Sequence, residues 1–374
     1  MKKKHIITSV LSLALLFSSC GKYLDKYPDN RMELHTPEDA AKFLVSAYPD
    51  AHAAYLLEMY SDNSDEHDYT SWSAISPFQE QAYRWSDISE IREQETPQQL
   101  WDAHYTAITV CNEVLKHVAG VSNKDAYASQ VAEAKLCRAY SMFQLANVFC
   151  QAYAPETAAS DYGLPYPTEP EEHPGRTLHH RGTLEALYKH IEQDLTEGLQ
   201  DINSANYGKP KYHFTAQAAH AFAARFFLYY QKWTKAIAHA DKVLGSDPKL
   251  VLRNWKAFYS IPRTDASFAL AYYDISNPAN LLTVPTYSYY PWLVTGGTAY
   301  YNTRFTQSQE LTLTETLFAK NIWGTKDPYW FQPFIYTEGN INKTVQAKLP
   351  SFPSSDYQTM DTPLTTDETL LVRA

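Results

Sequence analysis

Residues 215–248 read TAQAAHAFAARFFLYYQKWTKAIAHADKVLGSDP and hold two helical patterns separated by a short break. Thr215 to Tyr230 is rich in alanine, and Trp233 to Leu244 is a second, shorter amphipathic segment. Ala223, Ala224, Phe227, Ala236, Ala240, Val243 and Pro248 fall at the offsets of a tetratricopeptide unit. Alanines let paired helices approach closely, and Asp247-Pro248 is expected to end the second helix. Trp233, on a helix face, is expected in the core. One such pair cannot bury its own apolar face, so companion helices are required.

Candidates lie upstream. From Gln98 to Val118 the apolar positions Trp101, His104-Tyr105, Ile108, Cys111, Leu115 and Val118 keep helical spacing, and Trp101 is assigned to the core. Ala126 to Phe149 carries Val131, Ala134, Cys137-Arg138, Ser141, Leu145 and Val148, and Thr183 to Ile202 carries one clear stripe ending at Leu199. Thr36-Pro37-Glu38-Asp39 has the form of a helix start, with a cap, a proline in the first turn and acids behind it. Residues 60–96 lack a period and read as a long loop region, as do the Pro- and Gly-studded residues 153–176. Beyond Leu250 the chain is dense in Trp and Tyr interleaved with Pro, Gly, Asn and Thr, which predicts loops with short strands and helices. The fold class is therefore mainly α, a tetratricopeptide-like scaffold over residues 20–250 with a loop-rich, aromatic-rich portion over 251–374.

The first residues give an address. Lys2-Lys3-Lys4 precedes an apolar run from Ile6 to Phe17, too short to span a bilayer but proportioned as a secretory signal. It ends Leu16-Phe17-Ser18-Ser19-Cys20, which resembles a bacterial lipobox; the alternative is a plain signal that ends by chance in a cysteine. Acylation at Cys20, palmitate-type chains included, would anchor a mature chain of 355 residues, since acyl burial contributes about 0.8 kcal/mol per methylene. Losing the three lysines with residues 1–19 takes the formal charge from −10 to −13, which argues against nucleic acid as a partner. Cys111, Cys137 and Cys150 show no metal or disulfide spacing, and the first two sit in helical patterns as inert core thiols.

No H-E-x-x-H, G-x-S-x-G, P-loop or dinucleotide fingerprint is present. The oxygen-rich run from Asp62 to Asp68 lacks the glycine and spacing of a calcium loop, and His179-His180 reads as surface. No metal and no cofactor is expected, and the chain reads as a binder rather than an enzyme. A secreted glycan-degrading enzyme stays open because a pair of carboxylates among 42 acids leaves no motif.

Several segments, taken in order, resemble the SusD/RagB family of Bacteroidetes lipoproteins. They are the lipobox with Tyr23-Leu24-Asp25 and Pro28; Trp101, Tyr105, Ile108 and Asn112; Glu133 to Tyr140 with Arg138; Gly163-Leu164-Pro165-Tyr166; and the pair from Ala221 to Leu244. The resemblance implies a surface-exposed, lipid-anchored protein of the outer membrane. Such a protein binds oligosaccharide or another nutrient and delivers it to a TonB-dependent SusC-like transporter. A helical-repeat lipoprotein that binds only other proteins is the alternative. Sugar rings present C–H faces that stack on Trp and Tyr, so the aromatic loops are the candidate ligand site: Trp72, Tyr83 and Trp85, with Tyr289, Tyr290, Trp292, Tyr300 and Tyr301. Near the end, Asp367 to Ala374 resembles the opening of a later family helix, with Leu370, Leu371 and Val372 expected to lack the room to form it, which predicts a chain cut short. The DNA beyond codon 374 is expected to encode further family-like helices, and a reading frame without them would refute the truncation.

Overall fold

Five threonines set where helices begin. In the computed structural model, which describes residues 34–66, 77–170, 179–261, 265–288, 304–308, 310, 335–338, 341–344 and 358–374, the helices are α1 (Pro37–Phe43), α2 (Ala54–Met59), α3 (Pro77–Tyr83), α4 (Pro97–Gly120), α5 (Ala128–Phe149), α6 (Leu184–Asp201), α7 (Ala216–Tyr229), α8 (Trp233–Leu244), α9 (Trp255–Tyr259), α10 (Asp265–Tyr272) and α11 (Thr366–Arg373). Thr36, Thr96, Thr183, Thr215 and Thr365 precede α1, α4, α6, α7 and α11. Each hydroxyl accepts from the amide three residues on, at 3.1–3.3 Å. Such a cap stabilises a helix by about 1 kcal/mol.

Six short strands pair antiparallel in three two-stranded sheets among the described residues. They are β1 (Ser64–Glu66) with β3 (Phe305–Gln307), β2 (Asn280–Tyr287) with β6 (Gln358–Thr365), and β4 (Ile335–Glu338) with β5 (Ile341–Thr344). The β2–β6 sheet lies on the helices, with Leu281, Leu282, Val284 and Leu364 joining the main core.

Helix α5 runs between α4 and α6 and is buried on nearly every side. Its alanines and Gly198 of α6 allow the approach: a Cβ at Gly198 would fall 2.7 Å from the Leu136 side chain and 2.9 Å from the Ala132 carbonyl oxygen. The α7–α8 pair is the tetratricopeptide-like unit read from the sequence, and Ala223, Ala224, Phe227, Ala236, Ala240 and Val243 are all buried in it. Gln231 turns the chain between them with a left-handed φ of +58°. Cys111 and Cys137 are buried free thiols, as expected.

Five sequence expectations are corrected. Trp233 is 54% exposed, because the face of α8 that meets α7 is the Ala236, Ala240, Val243 stripe and Trp233 stands beside it. Trp101 is only partly buried, packed against Phe149 at the edge of the core. Gly245, with φ +63°, ends α8, whereas Pro248 opens the following 3-10 turn. Within residues 60–96 there are β1 and α3, whose few residues are too short to show a period. The C-terminal residues do form a helix: α11 packs on α8 and α7, Arg225 Nε donates to Glu368 at 2.5 Å, and Leu371 stands 76% exposed on its outer side.

One buried polar network joins the helices to the loop after α5. Arg138 grips Asp194 of α6 with Nε and a terminal nitrogen at 2.6 and 2.8 Å, and its other nitrogen donates to Asn112 of α4 at 2.7 Å. Asn112 then donates to the Pro167 carbonyl at 3.0 Å, and the Tyr166 hydroxyl donates to Asp194 at 2.5 Å. Tyr105 donates to the Pro165 carbonyl at 2.8 Å. Burial opposes charge on Arg138, yet the bonds to Asp194 outweigh it and hold the guanidinium protonated. Burial and the neighbouring carboxylate both push the Tyr166 phenol well above its ordinary value, so it stays a donor.

Removing one partner of a buried pair strands the other, so Asp194→Ala is expected to destabilise the fold by about 3–5 kcal/mol, while pairing Asp194→Leu with Arg138→Met recovers most of the loss. Chemical denaturation measures both, and an Asp194→Ala variant within 1 kcal/mol of wild type (roughly the scatter of a surface change) would remove the network's role.

A second prediction rests on His104 of α4, whose Nδ1 is buried with no hydrogen-bond partner among the described residues. Burial, with a smaller push from His52, lowers its pKa from 6.5 to about 3. A depressed folded-state value means stability that is full above pH 6.5 and drains as pH falls toward 3, at up to about 1.4 kcal/mol per pH unit. His104→Leu is expected to flatten that slope in melts between pH 7 and 4 (roughly the window below the free histidine value), and parallel slopes would contradict it.

Candidate functional site

Helices α2 and α3, strands β1 and β3, and the first turn of α4 share a small core of their own: Tyr55, Leu56, Met59, Phe78, Ala82, Leu100 and Phe305. Gln79 of α3 crosses it, donating to the Phe305 carbonyl at 2.9 Å. This core fixes two chain ends that carry aromatic rings, Tyr60 after α2 and Trp85 after α3.

Trp85 is held in an unusual way. The Trp85 amide donates to the Ala82 carbonyl at 3.1 Å and the Ser86 amide to the Gln81 carbonyl at 2.9 Å, the paired bonds that close a helix through one left-handed residue. That residue is normally glycine; here it is tryptophan, with φ +53°. A left-handed conformation in a residue with a Cβ costs roughly 1–2 kcal/mol. The indole recovers little of that by burial, being 74% exposed, and rests its edge on Tyr60 at 4.8 Å between ring centres and 46° between planes.

Charges surround the neighbouring Tyr83–Phe305 pair, with Arg84 and Arg304 over the Phe305 ring. Arg84 Nε donates to Glu80 at 2.8 Å and a terminal nitrogen reaches Glu66 at 3.1 Å, while Arg304 also pairs with Glu66. Burial, reinforced by Asp65, raises the Tyr83 phenol, and burial raises that of Tyr60. Both therefore remain neutral hydroxyls at ordinary pH. The exposed indole of Trp85 offers a π face that can stack on the apolar face of a ring.

Of the residues singled out from the sequence, Trp85 stands at the surface here. Tyr83 is a support, part-buried with its ring 4.7 Å from that of Phe305. Cys20, Trp72, Tyr289, Tyr290, Trp292, Tyr300 and Tyr301 lie outside the described residues. The residues bordering two of those stretches belong to this small core or its edge: Glu66 pairs with Arg304, Pro77 opens α3, and Ser288 donates to buried Glu95 at 2.8 Å. The sequence reading did not pick out Tyr60 or Arg84, and took Glu66 only as part of the oxygen-rich run from Asp62 to Asp68; the weak alternation around α2 and β1 gave no further signal. Among the described residues no three His, Cys, Asp or Glu side chains converge to hold a metal, and no helix is long and apolar enough to cross a membrane.

Paired helices in a tetratricopeptide-like array, with a strand-and-loop portion laid against them, define a helical-repeat scaffold protein. A family described as SusD-like, "starch-binding associating with outer membrane", matches residues 22–228, more than half of the chain, and the protein belongs to that family. Solved structures agree in fold. A SusD superfamily protein from Bacteroides vulgatus superposes with a TM-score of 0.65 at 14% identity, over 91% of this chain and 74% of that one. A SusD-like carbohydrate binding protein from the same species gives 0.63 at 16% identity, over 91% and 71%. A SusD superfamily protein from Bacteroides thetaiotaomicron gives 0.51 at 16% identity over 68% of this chain, which spans only 54% of that one. No curated protein matches the sequence.

Proposed function

We propose that the protein binds oligosaccharide at the cell surface as a lipid-anchored outer-membrane protein and passes it to a TonB-dependent SusC-like transporter. In this reading residues 1–19 are a signal, Cys20 carries the lipid, the helical portion is the scaffold, and the chain binds without catalysing. The family's description supports the glycan and the membrane, and the printed name of the second Bacteroides vulgatus protein is that of a carbohydrate binder.

The observation that carries the reading is Trp85. A strained, exposed tryptophan contributes little to its own fold beyond its contact with Tyr60, and strain of this kind is retained where the side chain has a task. Stacking a sugar ring on Trp85 with Tyr60 beside it is such a task, with Glu66 and Arg84 to bond hydroxyls. Tyr290 and Trp292 are proposed to add further stacking contacts.

Trp85→Gly separates the two roles. It removes the strain and is expected to stabilise the fold by about 0.5–1 kcal/mol while lowering oligosaccharide affinity at least tenfold, the loss of roughly 1.4 kcal/mol of contact. Tyr290→Ala and Trp292→Ala are expected to lower affinity with unchanged melting. Calorimetric titration of a panel of neutral glucan oligosaccharides measures all three, and full affinity in Trp85→Gly would take the platform out of the site.

A further inference from the structure

A second opening lies along α4, lined by none of the residues named above for the Tyr60–Trp85 pair. It is an open cleft of about 520 Å³ between α4 and the loop after α5. Two adjacent stripes of α4 make one wall: Trp101, Tyr105 and Asn112 along one, Asp102, Thr106 and Thr109 along the other. Pro165, Pro167 and Glu169 make the opposite wall, with His179 at the rim.

The walls are rigid for reasons already given. Tyr105 and Asn112 are bonded to the carbonyls of Pro165 and Pro167, and Arg138 holds Asn112 from below. Trp101 is wedged between Tyr105, at 4.7 Å and 37°, and Phe149, at 5.3 Å and 84°. The cleft is thus preformed, which keeps low the entropy that binding would cost. Its size falls within the range of small-ligand sites, about 300–1,000 Å³.

Its chemistry is selective. Indole, phenol ring and two prolines offer flat apolar surface, while Asp102, Glu169 and the Thr106 hydroxyl offer acceptors along the same wall or facing it. Among the described residues neither lysine nor arginine lines it, and its two carboxylates disfavour an anionic ligand. We propose that this cleft is a second saccharide-binding site, taking uncharged sugar rings stacked on Trp101 and rejecting glycans that carry carboxylate or sulfate groups. The site is separate from the Trp85 platform but rests on the reading of the protein as a glycan binder.

The test uses the full chain and calorimetric titration with neutral glucan oligosaccharides and with oligogalacturonate. Thr106 is exposed on the surface of α4, so Thr106→Arg fills the cleft and pairs with Asp102 one turn before it without touching the core. Glu169→Lys, on the loop, is the second variant. Wild type is expected to bind neutral oligosaccharide at two sites per chain. Either cleft variant is expected to leave one, Trp85→Gly to leave the other, and the double variant none. Glu169→Lys is further expected to admit oligogalacturonate that wild type refuses. A single wild-type site that disappears with Trp85→Gly and survives Thr106→Arg overturns the cleft and keeps the main reading. A single site lost in Thr106→Arg alone overturns the platform and keeps the cleft. Binding to no member of the panel overturns both.

Discussion

The fold turns on how a guanidinium is kept in the dark. Arg138 sits in the middle of α5, a helix buried on nearly every side, and the chain satisfies it from two neighbouring helices at once. Asp194 supplies a two-pronged carboxylate from α6 and Asn112 supplies an amide oxygen from α4. The two partners then reach outward to the loop after α5, through Tyr166 and Pro167. Removing a charge from water costs several kcal/mol, and only a full set of partners offsets it. The geometry therefore fixes the relative rotation and height of three helices, which apolar packing among alanines and leucines leaves loosely specified. It also fixes the Pro165–Pro167 part of a loop whose earlier residues are anchored through Tyr153, Ala158 and Leu164. What that loop presents to solvent is consequently set from the inside.

Much of this was legible in the sequence, but as parts rather than as a mechanism. The helical spans of α4, α5, α6, α7 and α8 follow from apolar spacing, because a 3.6-residue period survives over four or more turns. The residues that carry the family resemblance, Asn112, Arg138 and the Gly163 to Tyr166 turn, were visible as well. That they form one bonded set was not, since a pattern along one chain does not say which polar residues meet across 56 positions, as Arg138 and Asp194 do. Trp233 shows the opposite limit. It has the composition of a core residue and stands in water, because a helix of three turns that packs mainly through alanine leaves its bulky residues beside the contact. The proposed platform was half legible: Trp85 could be picked as an aromatic, but the sign of its φ angle is a property of the helix end and has no signature in composition.

The two aromatic surfaces are built on different principles. The Tyr60–Trp85 pair stands on a small satellite core and spends conformational energy to hold a ring in the open. The Trp101 cleft spends none, being the outer surface of the same polar network that aligns the scaffold. The first can be altered with little effect on the rest of the molecule, whereas the floor of the second cannot be altered without disturbing three helices.

The bond between Arg225 and Glu368 has a consequence for how the chain comes into being. Arg225 lies deep in α7, and its carboxylate arrives 143 residues later. At roughly 5–20 residues per second of synthesis, that is about 7 to 30 seconds during which the helix pair exists without the group that neutralises it. The β2–β6 sheet waits over the later part of that interval, about 4 to 16 seconds, because its second strand ends just before that glutamate. A nascent chain thus carries an unsatisfied cation and an unpaired strand edge until Glu368 and β6 emerge, features by which chaperones and proteases recognise an incompletely folded molecule. Closure of the α7–α8 pair is therefore timed by a residue far downstream of it, and not by the pair's own synthesis.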